Sequence, residues 1–317
     1  MARLFVEGWA PEYGAPFDPD EQLAPAEGSI DPAVERADWE PLEGVDDGLE
    51  ELAFVDGVRR VDARLLLDDP ENGPVPGICG SFAVGATRWH RGQRRSEVSD
   101  VLVERWAVLG GGREPMLPAV DLEPAYRMTT TPSDDPSHLV KELHTRMRRA
   151  EGELASALAA SRFVVADGPL NRPLAPLPVV GYIKSHRVTY LPVEQNAVIA
   201  ELATGQRTPL FTIAADRPDV CRYSWYVRLA MFAGGHSWTG IVRCEASGRL
   251  ARDDVRTIAD RTAALLPLVG SEPYVDPRAP QNLVPIGALE RELRHRMGDP
   301  GLVYRALRHA VSERTAS

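Results

Sequence analysis

Two aspartates 111 positions apart frame the stretch that most constrains the fold of this chain. Asp56 stands in mid-strand, where an acid is unusual. Ala53 to Leu67 is rich in β-branched residues and alternates in its second half, which predicts a long strand. The turn-forming run 68–74 closes it. Gly77 to His90 and Val101 to Leu109 read as two further strands, giving an antiparallel meander. A helix follows. Asp134, Asp135 and Ser137 offer N-cap groups, and Pro136 suits a first turn. Leu139, Val140, Leu143, Met147, Ala150, Leu154, Ala157 and Leu158 recur at helical spacing, so the helix runs to about Ala160. Arg162 to Asp167 is then a short apolar strand ending on an acid and a turn.

Strand, strand, strand, helix, strand is the core order of the ribonuclease H-like fold, an α/β architecture with a mixed sheet flanked by helices. In that fold the first and fourth strands are neighbours, so Asp56 and Asp167 are expected side by side. Two such carboxylates suit one or two divalent ions that clamp a phosphodiester during hydrolysis. Hard oxygen ligands favour Mn²⁺ or Mg²⁺. Both acids precede a glycine, and Gly57 and Gly168 would let a substrate backbone or a second ion approach where a Cβ would stand. A helix ligand must look toward the sheet yet stay polar. Glu151 lies about 70° from the centre of the apolar stripe and is the first candidate; Glu153, about 90° away on the other side, is the reserve.

Beyond the core, strands are expected at 179–185, 208–214, 223–232 and 237–245, and helices at about 252–266, 286–297 and 301–312. Residues 1–50 are acidic and rich in proline and glycine, and read as an extended arm with one short helix at Asp31 to Trp39; residues 51–317 read as one nuclease domain. The net charge of −10 argues against a generic nucleic-acid binder. Much of that acid sits in the arm, however, and a nuclease needs only a local positive groove. The chain has two lysines, Lys141 and Lys184, among 36 basic residues, which singles out Lys184. No run of 18 apolar residues and no signal-peptide pattern occurs. Cys79, Cys221 and Cys244 show neither a disulfide framework nor zinc spacing, which fits a reducing cytoplasm.

Five segments together carry a resemblance. Phe54-Val-Asp-Gly-Val58, Val165-Ala-Asp-Gly-Pro-Leu170, Val179-Val-Gly-Tyr-Ile-Lys-Ser185, Trp225-Tyr-Val-Arg-Leu229 and Gly240-Ile-Val-Arg-Cys-Glu245 resemble, in order and spacing, the successive motifs of the NurA nuclease family. The resemblance implies a homodimer, Mn²⁺-dependent cleavage of single- and double-stranded DNA, and a hexameric HerA ATPase as partner. It assigns Asp56 and Asp167 to metal binding, maps a helix ligand onto Glu151, and turns Lys184 toward a phosphate. Arg59, Tyr226, Arg243 and Arg278 are candidate DNA contacts. Arg243 shares a strand face with Glu245, so an ion pair is the alternative. One departure stands out. The family often carries a histidine near the metal close to the C-terminus, whereas Asp276 to Ile286 contains none. Asn282, Gln281 or Asp276 is expected to offer an oxygen instead, and His186 is the histidine nearest the site in sequence terms. The alternative function is an inactive adapter that docks on the ATPase. An actin-like nucleotide-binding protein would need a second core and phosphate loops that this chain lacks.

Overall fold

A computed structural model describes residues 3–6, 29–70, 73–113, 116–170, 176–184, 190–214, 221–232, 237–276 and 278–316. The strands are β1 (Arg3–Val6), β2 (Ile30–Asp31), β3 (Leu42–Glu43), β4 (Glu51–Asp69), β5 (Gly73–His90), β6 (Arg95–Leu109), β7 (Tyr126–Thr130), β8 (Phe163–Asp167), β9 (Val179–Ile183), β10 (Gln206–Arg207), β11 (Phe211–Ile213), β12 (Arg222–Arg228) and β13 (Ile241–Ser247). The helices are α1 (Pro136–Ala159), α2 (Val193–Glu201), α3 (Arg252–Leu265), α4 (Val284–Arg296) and α5 (Pro300–Ala316).

All strands join one mixed sheet whose main path runs β2-β11-β12-β13-β9-β8-β4-β5-β6-β7. Strands β4, β5 and β6 form the expected antiparallel meander. Then α1 crosses over, and β8 returns parallel to β4, with β9 parallel to β8. That is the ribonuclease H-like core, as the segment order predicted. The crossover helix starts where local chemistry dictates: the Asp135 carboxylate caps Ser137 N at 2.8 Å, and Pro136 opens the first turn.

Side-chain alternation sorts the two faces. Ala53, Val55, Val164 and Val179 pack under the C-terminal half of α1, and Val61, Phe82 and Val84 under its N-terminal half. Leu52, Phe54, Phe163 and Val165 face the opposite side, with α3 and the start of α4. Val58 and Ala83 meet Leu289 and Leu293 of α4. A bulge between Val61 and Ala63 breaks the alternation. Beyond it Ala63, Leu65 and Leu67 pack with Val303 and Leu307 of α5. Asp62, at the bulge, is only 2% exposed. It accepts from Arg60 Nε at 2.8 Å, Ser81 Oγ at 2.5 Å and Tyr126 Oη at 2.7 Å, and Arg60 also reaches Gly298 O at the end of α4.

Two local expectations change. No helix forms at Asp31 to Trp39. Instead β2 pairs with β11, β3 pairs with β10, and turns connect them. The reason is a buried charge relay: Glu35 accepts from both Arg207 Nη atoms at 2.8 and 2.9 Å and from Leu210 N at 2.7 Å. Helix propensity over a few residues is weak beside such an anchor. The second change is α2, which has little amphipathic pattern and was not expected. Among the described residues no helix is long and apolar enough to cross a membrane.

Candidate metal centre

The parallel register of β4 on β8 runs from Leu52 opposite Phe163 to Val55 opposite Ala166. One further step sets Asp56 level with Asp167. Both lie on the face shared with Phe54 and Val165, because strand side chains alternate. Helix α4 crosses that face and supplies a third acid. Oxygens of Asp56, Asp167 and Glu290 lie within 4.8 Å of one another. These three side chains would hold a divalent ion, and the all-oxygen donor set matches a hard cation.

Glu151 approaches Asp56 from the other side of the sheet. It is 5% exposed and lies within the buried stripe of α1. A Cβ on Gly57 would stand 2.5 Å from Glu151 Oε1. Gly57 is therefore the gap through which the helix carboxylate approaches Asp56, a more specific role than room for substrate. Arg148, one turn earlier, holds this arrangement. Its Nη1 donates to Glu151 Oε2 at 2.6 Å and Asp167 O at 2.9 Å, and its Nη2 donates to Pro169 O at 2.5 Å. Its guanidinium lies under Gly168, whose φ of +87° makes the turn after Asp167. Glu245 fixes the same turn from β13 by accepting Leu170 N at 2.5 Å.

Lys184 does not project into open space. Its Nζ donates to Asp167 Oδ2 at 2.7 Å and to Asn282 Oδ1 at 2.9 Å. Burial works against its charge, but Asp167 and Asp56 raise its pKa above the ordinary lysine value. Asn282, 1% exposed, donates in turn to Asp276 Oδ2 at 2.6 Å. Burial opposes the Asp276 charge, yet hydrogen bonds from Asn282 and Arg278 bring its pKa down to about 2. Asn282 thus acts as an acceptor for Lys184, and the acid from the C-terminal segment is Glu290. Arg278 braces Glu290 at 3.1 and 3.3 Å. Glu290 had a readable signal: it falls four residues after Ile286 and three before Leu293, at the edge of the buried stripe of α4.

The other expected residues lie elsewhere. Glu153 faces solvent and pairs with Arg149. Arg59 projects to the α1 face, opposite Asp56. There burial, Arg59 and Arg148 push the pKa of His144 down to about 4. Tyr226 is 1% exposed, stacked on Phe211 at 5.9 Å and edge-on to Trp238 at 5.7 Å. Its ring is thus packed inside the protein. Arg243 is 6% exposed, donates to Glu245 Oε2 at 2.9 Å and lies over the Tyr190 ring. Of its two expected roles, the ion pair is the one the structure contains. Arg278 is exposed on the rim beside Glu290. His186 lies outside the described residues.

Burial raises the pKa of Asp56 well above an ordinary carboxyl, and the charges of Asp167 and Glu151 add to the shift. The sign for stability follows. An acid with a raised folded pKa favours the fold while protonated, and that contribution drains away as pH rises through the folded value. A bound cation needs the carboxylate and reverses the cost. The rise in melting temperature on adding Mn²⁺ should therefore grow as pH is raised from the acid side toward neutrality. Scanning calorimetry at several pH values measures it, and a rise independent of pH would contradict this account.

The fold and the site together define a ribonuclease H-like α/β protein with a carboxylate cluster at the junction of its first and fourth core strands. Neither a protein-family model nor a curated protein matches the chain. Among solved structures it is similar to the crystal structure of the NurA nuclease from Sulfolobus solfataricus, at a TM-score of 0.45 and 12% sequence identity, over 80% of this chain and 81% of that one.

Proposed function

We propose that this chain is a metal-dependent deoxyribonuclease that hydrolyses phosphodiester bonds. One observation carries the reading: three carboxylates from β4, β8 and α4 present oxygens within 4.8 Å of one another. Buried acids repel and resist ionisation unless a cation joins them, and Asp56 is 7% exposed. Asp56, Asp167 and Glu290 would hold Mn²⁺ or Mg²⁺, with Glu151 behind Asp56. Such an ion supplies positive charge against the oxygens of a phosphodiester. The chain's own part is to fix the carboxylates in place through Arg148, Glu245 and Arg278. Lys184 keeps an ammonium at the edge of the cluster, where a phosphate would meet it.

The motif resemblance supports a finer reading: exonuclease and single-strand endonuclease action in the cytoplasm, as a homodimer coupled to a HerA-type hexameric ATPase, in DNA end resection, repair or phage defence. The test is direct. Purified protein with Mn²⁺ is incubated with linear and single-stranded DNA, with and without the ATPase. Degradation is expected. Inertness under every condition would favour the adapter, which keeps the fold without the chemistry. Glu290→Gln should weaken Mn²⁺ binding about a hundredfold in calorimetric titration, since a lost ligand costs at least as much as a lost outer partner. An unchanged affinity would remove Glu290 from the site.

A further inference from the structure

We infer that this centre takes a single divalent ion, and that the Lys184 ammonium stands where a two-ion nuclease would hold its second cation. The inference rests on the metal-dependent reading above but concerns how many ions the centre holds. A two-ion centre places its metals about 3.5–4 Å apart and holds them with shared carboxylates. Asp167 is the acid placed to be shared, since it stands between Asp56 and the β9 side of the site. Its Oδ2 already accepts from Lys184 Nζ at 2.7 Å. The ammonium is held from the far side by Asn282 Oδ1 at 2.9 Å. That amide is itself locked, because its Nδ2 donates to Asp276 Oδ2 at 2.6 Å. Asp276 is braced by the Arg278 guanidinium at 3.2 Å. The loop carrying Asn282 is tied to β9 through Tyr182 Oη, which donates to Gln281 O at 2.6 Å.

This is a built seat for a compact cation, assembled from β8, β9 and the segment before α4. The remaining acids point the same way. Glu290 belongs to the set that holds the first ion, and Glu151 is already paired with the Arg148 guanidinium. The chain is written almost wholly in arginine, with 34 arginines against two lysines, and one of those lysines fills this seat. An ammonium is a point charge with three donors and fits between a carboxylate and an amide; a planar guanidinium presents a fork instead. Lys184 meets the charge of Asp167, and its acceptors among the described residues are the Asp167 carboxylate and the Asn282 amide oxygen.

The test counts ions. Mn²⁺ is titrated into the full-length protein by calorimetry, and free Mn²⁺ is followed in parallel by electron paramagnetic resonance. One ion per chain is expected for the wild type. Lys184→Ala should bind two, with the spin coupling of a close Mn²⁺ pair in the resonance spectrum. Two ions per wild-type chain would overturn the inference while sustaining the metal reading. One ion in a folded Lys184→Ala, checked by circular dichroism, would overturn it as well. No ion in the wild type would overturn the metal reading itself. Lys184→Gln gives a second neutral variant should the alanine form fail to fold.

Discussion

Replacing Asp56 by asparagine should abolish Mn²⁺-dependent DNA cleavage and, at the same time, make the metal-free protein more stable. The first effect follows, on the proposed metal-dependent reading, from the loss of a ligand that Asp167 and Glu290 would not replace from their own positions. A fall of about a thousandfold or more in turnover is expected, equivalent to about 4 kcal/mol of barrier. The second follows from burial. The Asp56 carboxyl sits 7% exposed among Asp167, Glu151 and Glu290, and those neighbours with its own desolvation oppose its charge. An amide keeps the shape and removes the repulsion. Melting of the metal-free protein should rise, and the stabilisation by Mn²⁺ should vanish. Asp167→Ala should lose activity to a similar degree, but without the gain in stability, since Lys184 then loses its carboxylate partner. Activity retained in Asp56→Asn would remove Asp56 from the chemistry; a lower melting temperature would refute the account of its burial.

The second large effect belongs to Glu245. Its side chain is fully buried and accepts from Arg243 at 2.9 Å and from Leu170 N at 2.5 Å, with Arg222 at 3.6 Å. Glu245→Ala strands the buried Arg243 guanidinium without a counter-charge. Breaking such a pair costs about 3–5 kcal/mol, or a fall of about 5–8 °C in melting temperature for a domain of this size. It also releases the turn that sets Asp167, so Mn²⁺ affinity should fall with stability. Replacing both partners, Glu245→Leu with Arg243→Met, should recover much of the stability, because no lone charge is left inside. It should not recover the affinity, because Leu170 N still lacks its acceptor. Chemical denaturation and metal titration of the two variants separate these effects. A Glu245→Ala variant as stable as wild type would contradict the role assigned to the pair.

How far the site was legible depended on the range of the interaction that places each residue. Asp56 and Asp167 could be paired on paper because strand order is written in local periodicity, and one topology rule carries the rest. Glu151 followed from helical phase, although the stripe proved wider than read and contains it. Glu290 obeyed the same phase rule on α4, yet its value depended on α4 crossing the face of β4 that carries Asp56. Tyr226 and Arg243 sit in motif segments and looked available for DNA. Their burial came from Phe211, Trp238 and Tyr190, residues that the chain brings in from other elements.

The sequence by itself determined the meander, the capped crossover helix and the return of β8 beside β4, since caps, turns and alternation act over a few residues. It determined as well that two aspartates would meet at that junction. Only the tertiary structure decided which side chains gather around those two aspartates. The absent Cβ of Gly57 admits Glu151, α4 delivers Glu290, and Asn282 turns Lys184 onto Asp167. Those choices are made by contacts between segments as much as 234 residues apart, from Asp56 to Glu290, and no local pattern encodes which buried face a distant helix will cover.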